Sequence, residues 1–202
     1  MKKTHRQVIV LTTLVGVLTL TSALLLALAP APLAPDATNR LFAIEAPQSM
    51  DVIFQTDTPM RTGRWKYIYV HHSKTTAGNA LSLSQGSDGV ADHFIIGNGD
   101  GSIDGEVQVG PRWNTQSVAG TPKGATSINP DCISICLIGD FNQGVPTPTQ
   151  LRRLEQLVGA LQGRLRIPAT NVYLDQSESA SNTAAGVGRY FPQTAFREQL
   201  LP

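Results

Sequence analysis

Residues 67–73 read Tyr-Ile-Tyr-Val-His-His-Ser, an aromatic and β-branched run that ends in two histidines. Residues of these types favour extended backbone, so the sequence predicts a β-strand over Trp65–His71. Two imidazoles at the end of such a strand indicate either a metal site or a polar groove at the edge of a sheet. His71 and His72 are therefore the first candidate site residues.

Further strands are predicted where short apolar runs are bounded by Gly, Asn or Asp. They are His93–Gly97, Glu106–Val109, Ile133–Ile138 and, in a weakly patterned N-terminal arm, a short strand at Val52–Phe54. Together with the helices described next, they predict an α/β (α+β) domain with a single central mixed β-sheet flanked by helices.

One long helix is well specified by its first residues. Thr147 is a good N-cap, Pro148 suits the first helical position, and Gln150 completes a capping box. Leucine and valine then recur every three or four residues, which predicts an apolar stripe that packs on a sheet. Ile167 and Pro168 end this helix, and a shorter helix is predicted at Gln193–Leu200.

The N-terminus is predicted to target the chain for export. Lys2, Lys3 and Arg6 precede an apolar stretch over residues 8–29. About 20 residues of helix span a bilayer core, so this stretch is long enough. The basic flank predicts that the N-terminus stays inside and the remainder of the chain lies outside.

Residues 1–29 are interpreted as an uncleaved signal anchor in preference to a cleaved signal peptide. The stretch is longer than a typical signal-peptide core, and Pro30 and Pro32 stand where they would hinder cleavage. Residues 30–63 are predicted to be a linker and N-terminal arm, and residues 64–202 the folded domain. The domain is expected in the periplasm or extracytoplasmic space, anchored to the cytoplasmic membrane.

The net charge argues against nucleic-acid binding, and the spacing of the two cysteines argues against a disulfide. The formal net charge is only +1, so the chain lacks the basic footprint of a nucleic-acid-binding protein. Cys136 stands within the predicted strand Ile133–Ile138, and four residues of extended backbone cover about 13 Å, beyond the reach of a disulfide. A bridge to Cys132 would require a turn between the two cysteines. Cys136 is interpreted as a small buried apolar residue.

Several segments, taken in order, resemble the zinc N-acetylmuramoyl-L-alanine amidase and peptidoglycan-recognition family over roughly residues 64–192. The matching segments are Trp65–Ser73, His93–Gly99, Val109–Trp113, Ile133–Asn142 with Pro146–Gln150, and Gly188–Pro192. The resemblance implies the amidase fold, peptidoglycan or a muropeptide as partner, and zinc as the family's cofactor.

The resemblance also implies where three zinc ligands should stand, with an open fourth position for water. The first position is His71, the second is occupied by Asp175 and the third by Gly186. His71 is the only family ligand that survives, and a single imidazole does not hold zinc. The sequence therefore predicts no tightly bound cofactor.

Other groove positions that the resemblance implies are also substituted. Asp92 stands where many active members carry a tyrosine that binds the oxyanion. His71, Asp92 and Asp175 are expected to form a vestigial catalytic groove, either as an acid–base cluster or as an ordinary hydrogen-bonded group. The residues expected to line it for substrate are His72, His93, Trp113 and Tyr173.

The sequence thus predicts an exported, zinc-free amidase-like domain that acts as a peptidoglycan-binding or scaffold module. The alternatives are an active amidase that cleaves the lactyl–L-alanine amide bond through a rebuilt site, and an envelope protein that uses the fold for docking. A rebuilt site would use, for instance, His71, Asp175 and either Asp92 or His93, with or without another metal.

Overall fold

In the computed structural model, the chain comprises two compact units, Met1–Asp36 and Ala37–Pro202. A mixed β-sheet forms the centre of the second unit. The structure describes residues 14–19, 42–44, 50–84, 89–120, 129–175 and 187–202. The strands in these ranges are β1 (Phe42–Ile44), β2 (Tyr67–His72), β3 (Phe94–Ile96), β4 (Val107–Val109), β5 (Cys132–Leu137) and β6 (Val172–Leu174).

The strand order is β1-β4-β3-β5-β2-β6. Strands β3, β5, β2 and β6 run parallel, and β4 is antiparallel to both β1 and β3. The predicted α/β (α+β) fold with a central mixed sheet is confirmed. Strand β1 lies in the segment that the sequence assigned to the arm, and it extends the sheet by pairing Phe42 with Val109.

Among the described residues of this unit, the α-helices are α1 (Pro111–Asn114), α2 (Pro148–Leu165) and α3 (Gln193–Glu198). Helix α2 buries Leu154, Leu157, Val158 and Leu161 in one core with alternate residues of the strands. Burial of each such side chain contributes about 1.5–3 kcal/mol, so this contact is a main source of stability. The predicted apolar stripe is confirmed.

The start of α2 follows the sequence prediction only in part. The Thr147 hydroxyl accepts a hydrogen bond from the Gln150 backbone N–H at 3.0 Å, as an N-cap should. The Gln150 side chain does not return to Thr147. Its amide instead donates to the carbonyls of Ile96 and Ile138, at 3.0 and 2.8 Å, and so ties α2 to the ends of two strands.

The short strand predicted at Val52–Phe54 is wrong, because Met50–Phe54 forms a 3-10 helix. Ile53 points into the core, Val52 is exposed, and the Trp113 indole N–H donates to the Ile53 carbonyl at 2.5 Å. One helical turn satisfies this contact because it presents Ile53 inward without needing a neighbouring strand.

The second face of the sheet has a smaller apolar cluster of its own. Ile95 and Cys136 from the strands pack with Ala80, Val90 and Ile138. The remaining strand residues on this face are largely polar, in contrast to the core under α2. The sheet therefore has one face for stability and one face that can carry chemistry.

In the N-terminal unit, residues 14–19 are helical and mostly exposed. The remainder of the predicted anchor or signal segment, residues 1–29, lies outside the described residues. Within the described part of the chain, no helix combines the length and the hydropathy needed to cross a membrane.

Candidate functional site

Strand register brings His71 and Cys136 side by side. In the parallel pair β2–β5, His71 is opposite Cys136 and Tyr69 is opposite Ser134. Residues opposite each other on neighbouring strands point to the same face, so these four side chains share the polar face. The sequence interpretation of Cys136 as a small buried residue is correct for its burial, but it missed these neighbours.

Asp92, which precedes β3, completes the group. His71 Nε2 lies 2.7 Å from Asp92 Oδ1, and the Ser134 hydroxyl donates to the same oxygen at 2.5 Å. One donor atom each from His71, Asp92 and Cys136 lies within 4.8 Å of the other two. These residues, all buried, are called the His–Asp–Cys cluster below.

The cluster holds charges that burial alone would remove. Burial lowers the pKa of His71, but the Asp92 carboxylate and Cys136 outweigh it and raise this pKa well above 6.5. Burial raises the pKa of Asp92, but His71 and the hydrogen bond from Ser134 bring it below 3.8. Burial raises the pKa of the Cys136 thiol above 9.0, and His71 opposes this. The directions of these pKa shifts favour the charged forms of His71 and Asp92 and the protonated form of Cys136.

The cluster lies in the wall of a cavity of about 320 Å³. Opposite walls come from the segment after β2, including Lys74, and from Ser82 and Leu83. The site is thus buried in the sheet on one side and reaches a space large enough for a small ligand on the other.

Asp175, the other predicted groove carboxylate, is directed to Tyr69. Burial first, and then a hydrogen bond and the charge of Asp175, raise the pKa of Tyr69 above its ordinary value of 10.0. Asp175 is itself 8% exposed. The structure therefore joins His71 with Asp92, and Tyr69 with Asp175.

Two residues predicted to line the groove lie in the core. His93 is fully buried: its Nδ1 accepts from the Ser134 N–H at 3.0 Å and its Nε2 donates to the Ser117 carbonyl at 2.9 Å. Trp113 is also fully buried. Neither ring offers an exposed face to a sugar, so the suggested binding roles gain no support.

His72 also lines the cavity, but its ring is directed to the other face of the sheet. Its Nδ1 accepts a hydrogen bond from the Phe141 N–H at 3.0 Å, and its ring stacks on Phe141 with 5.4 Å between centroids. Only 3% of the residue is exposed. Alternation along β2 explains the difference, because adjacent residues of a strand point to opposite faces.

Tyr173 is exposed, as a residue that binds a ligand would be, and two further tyrosines lie near it. It is 48% exposed and its ring centroid lies 5.8 Å from that of Tyr67. Tyr69 is opposite Tyr173 in the β2–β6 pair and stacks on His71 with 5.5 Å between centroids. Tyr67, Tyr69 and Tyr173, called the tyrosine strip below, lead along the polar face to the cluster.

Three contributors to this site were not singled out from the sequence, namely Tyr67, Tyr69 and Ser134, and Cys136 was interpreted only as a small buried apolar residue. A signal for the tyrosines was present, because every second residue from Tyr67 to His71 is polar or aromatic while Ile68 and Val70 are apolar. The contribution of Ser134 and Cys136 depends on the pairing of β5 with β2, which one strand read alone does not specify.

Comparison with known proteins assigns the chain to a family. Residues 61–185, more than half of the chain, match the family described as N-acetylmuramoyl-L-alanine amidase. The chain belongs to this family. No match to the chain was found among curated proteins.

Solved structures of similar fold come from amidases and peptidoglycan recognition proteins. The N-acetylmuramoyl-L-alanine amidase LysC from Clostridium intestinale URNW is 19% identical, with a TM-score of 0.45, over 71% of this chain and 91% of that one. Bumblebee PGRP-SA is 16% identical, with a TM-score of 0.45, over 69% and 88%. Human PGRP-IBETAC, solved with glycosamyl muramyl pentapeptide, is 16% identical, with a TM-score of 0.46, over 73% and 92%.

The family's zinc does not fit its usual positions in this chain. Of the positions carried over, His71 is paired with Asp92, and Asp175 is hydrogen-bonded to Tyr69. Residue 186 is a glycine, which has no donor side chain, and it lies outside the described residues. Catalytic zinc needs three protein ligands, and these positions supply at most two.

Proposed function

We propose that this chain is an exported domain that binds peptidoglycan and holds no zinc at the family's usual positions. The tyrosine strip is the observation that carries the proposal. It offers partly exposed aromatic rings on the sheet, and Tyr69 stacks on His71, which lines the cavity. Aromatic side chains supply a large contact area at low entropic cost, and their hydroxyl groups can bond a polar ligand. Membership of the amidase family supports peptidoglycan as that ligand.

The binding surface is tested with Tyr173→Ala in the full-length chain. Insoluble purified peptidoglycan should retain the wild type, and the variant should bind about tenfold more weakly, which corresponds to about 1.4 kcal/mol. Tyr190→Ala is the matched control, because Tyr190 is 47% exposed and lies outside the strip. Equal binding by both variants would contradict a role for the strip.

Export is the second part of the proposal. The basic residues Lys2, Lys3 and Arg6 before the apolar stretch support an anchor with the domain outside the cytoplasmic membrane. A reporter fused after Pro202 should be active only on the extracytoplasmic side, and an intact N-terminus on the mature protein distinguishes an anchor from a cleaved signal. Cytoplasmic activity of the fusion would overturn this topology.

A working hydrolase is the second candidate, and the His–Asp–Cys cluster favours it. An imidazole, a carboxylate and a thiol converge beside a cavity, and these groups are of the types that perform acid–base or nucleophilic chemistry. Release of soluble muropeptides from intact sacculi, abolished by His71→Ala, would establish this function. Retention on peptidoglycan without release of muropeptides supports a binding module. If the protein is neither retained on peptidoglycan nor releases muropeptides, the envelope docking role is favoured.

A further inference from the structure

The His–Asp–Cys cluster offers three different donor atoms to one point. Each comes from a rigid part of the sheet, His71 from β2, Cys136 from β5 and Asp92 from the residue pair that leads into β3. One donor atom from each lies within 4.8 Å of the others. Of the three positions, only His71 corresponds to a zinc ligand of the family.

From this convergence, we propose that His71, Asp92 and Cys136 form a metal site for Zn²⁺ that is displaced from the family's usual site. Imidazole nitrogen, carboxylate oxygen and thiolate sulfur are the ligands that zinc takes in proteins. Bonds of about 2.0–2.3 Å around a tetrahedral ion separate ligand atoms by about 3.3–3.7 Å. To reach them, the 2.7 Å between His71 Nε2 and Asp92 Oδ1 must widen by about 0.6 Å, and the other separations, at most 4.8 Å, must close by about 1 Å at most.

The surroundings of the cluster orient the donors. His71 Nδ1 lies 3.3 Å from the His72 carbonyl, so an Nδ1–H can donate there while Nε2 faces Asp92. The Ser134 hydroxyl donates to Asp92 Oδ1. Metal ligands in proteins usually have such second partners, which fix the tautomer and the direction of each donor.

Charge balance also favours a divalent ion. A divalent cation, the Asp92 carboxylate, a Cys136 thiolate and neutral His71 sum to zero. Burial penalises any uncompensated charge, and this set leaves none. The three ligands leave a tetrahedral ion one further position, and the neighbouring cavity of about 320 Å³ has room for a water molecule or a ligand group there.

The site is tested on the full-length chain, freed of metal by a chelator and titrated with Co²⁺ alone and then Zn²⁺ alone. The wild type should bind one equivalent of Co²⁺ and show a thiolate-to-cobalt charge-transfer band, which Zn²⁺ abolishes by displacement. Cys136→Ser should lose the band and weaken binding by more than about 100-fold, since loss of an outer partner alone costs about 10–100-fold.

Cys132→Ser is the matched control, because Cys132 is also buried on the same face of β5. It should keep the band and the affinity, and so should Asp175→Ala, which would lose both if the ion bound at the family's position. If circular dichroism shows that Cys136→Ser does not fold, Asp92→Asn must weaken Co²⁺ binding instead. No band in the wild type, or dependence on Cys132 or Asp175, overturns the proposal.

This inference is independent of peptidoglycan binding. The titration contains no peptidoglycan, and the retention assay is read in the presence of chelator. Failure of one therefore leaves the other standing.

Discussion

Asp92 favours the protonated form of His71 at a position that is almost wholly shielded from solvent. The pair is buried, its atoms lie 2.7 Å apart, and each partner shifts the other's pKa toward the charged form. Buried ion pairs contribute little net stability, but removing one partner leaves an unpaired charge in a medium of low polarity. At the residue scale, replacing His71 and Asp92 together should therefore destabilise the domain less than replacing one of them alone.

Asp92→Asn should therefore destabilise the domain by about 3 kcal/mol at neutral pH, because it removes the counter-charge of a buried imidazole. Urea unfolding of the full-length chain measures the effect. Asp131→Asn is the control, since Asp131 pairs with Lys66 and Arg64 near the surface, where solvent and salt screen such pairs and their loss changes stability little. Equal losses in the two variants would contradict this account of the pair.

His93 makes stability depend on pH in one direction. Burial lowers its pKa to about 4, and the Ser134 N–H occupies the Nδ1 lone pair that a proton would need. The unfolded chain, with a pKa near 6.5, binds the proton first. The contribution of His93 to stability is thus complete above pH 6.5 and is lost as pH falls from 6.5 toward 4, by up to about 3 kcal/mol.

The check is a comparison of urea unfolding for the wild type and His93→Gln between pH 7 and pH 4. Glutamine does not titrate, and its amide can both donate and accept. Other histidines titrate in both proteins, so the difference isolates His93. The wild type should lose more stability on acidification than the variant, and parallel pH profiles would refute a neutral, buried His93.

At the scale of elements, local chemistry explains which segments become helices and strands. Thr147 and Pro148 specify the start of α2, and the left-handed residue Arg166, with φ of 58°, ends it. These signals are local in sequence, so they could be predicted. The pairing of Cys136 with His71 involves residues far apart in the chain, and a shift of one residue would reverse the faces.

The same reasoning explains the other differences from the sequence. The strand β1 has three residues and little pattern, and pairing with β4 is what makes it a strand. The Ile53 turn depends on a carbonyl acceptor for Trp113, which the sequence around Val52 does not reveal. The elements of the fold could thus be predicted from turn and capping chemistry. The His–Asp–Cys cluster could not, because it depends on the register in which β5 pairs with β2.

Thr147→Ala should lower the free energy of unfolding by about 1 kcal/mol, because it removes the cap from the first turn of α2. The Thr147 hydroxyl also donates to Asp104 at 2.5 Å, so the same change frees a carboxylate from that contact. Thr147→Ser is the control and should stay close to the wild type in denaturant unfolding. If serine and alanine are equally destabilising, packing of the threonine methyl group matters more than the cap.

At the scale of the whole unit Ala37–Pro202, the two faces of the sheet have separate tasks. The face under α2 is apolar and supplies the core. The opposite face holds the tyrosine strip and the cluster on the same strands, so the core positions these side chains rigidly. The His71–Asp92–Ser134 contacts hold the cluster in place through groups of the protein itself.

Metal and peptidoglycan should therefore bind separably. Chelator-treated protein should keep its circular dichroism spectrum and its retention on peptidoglycan, because the strip rests on the sheet and not on the cluster. Tyr173→Ala should lose retention but still bind Co²⁺ with the charge-transfer band, because Tyr173 contributes no ligand. Cys136→Ser should show the reverse pattern. A loss of both properties in either variant would mean that the strip and the cluster form one coupled site, in which the ion orders the binding surface through the stacking of Tyr69 on His71.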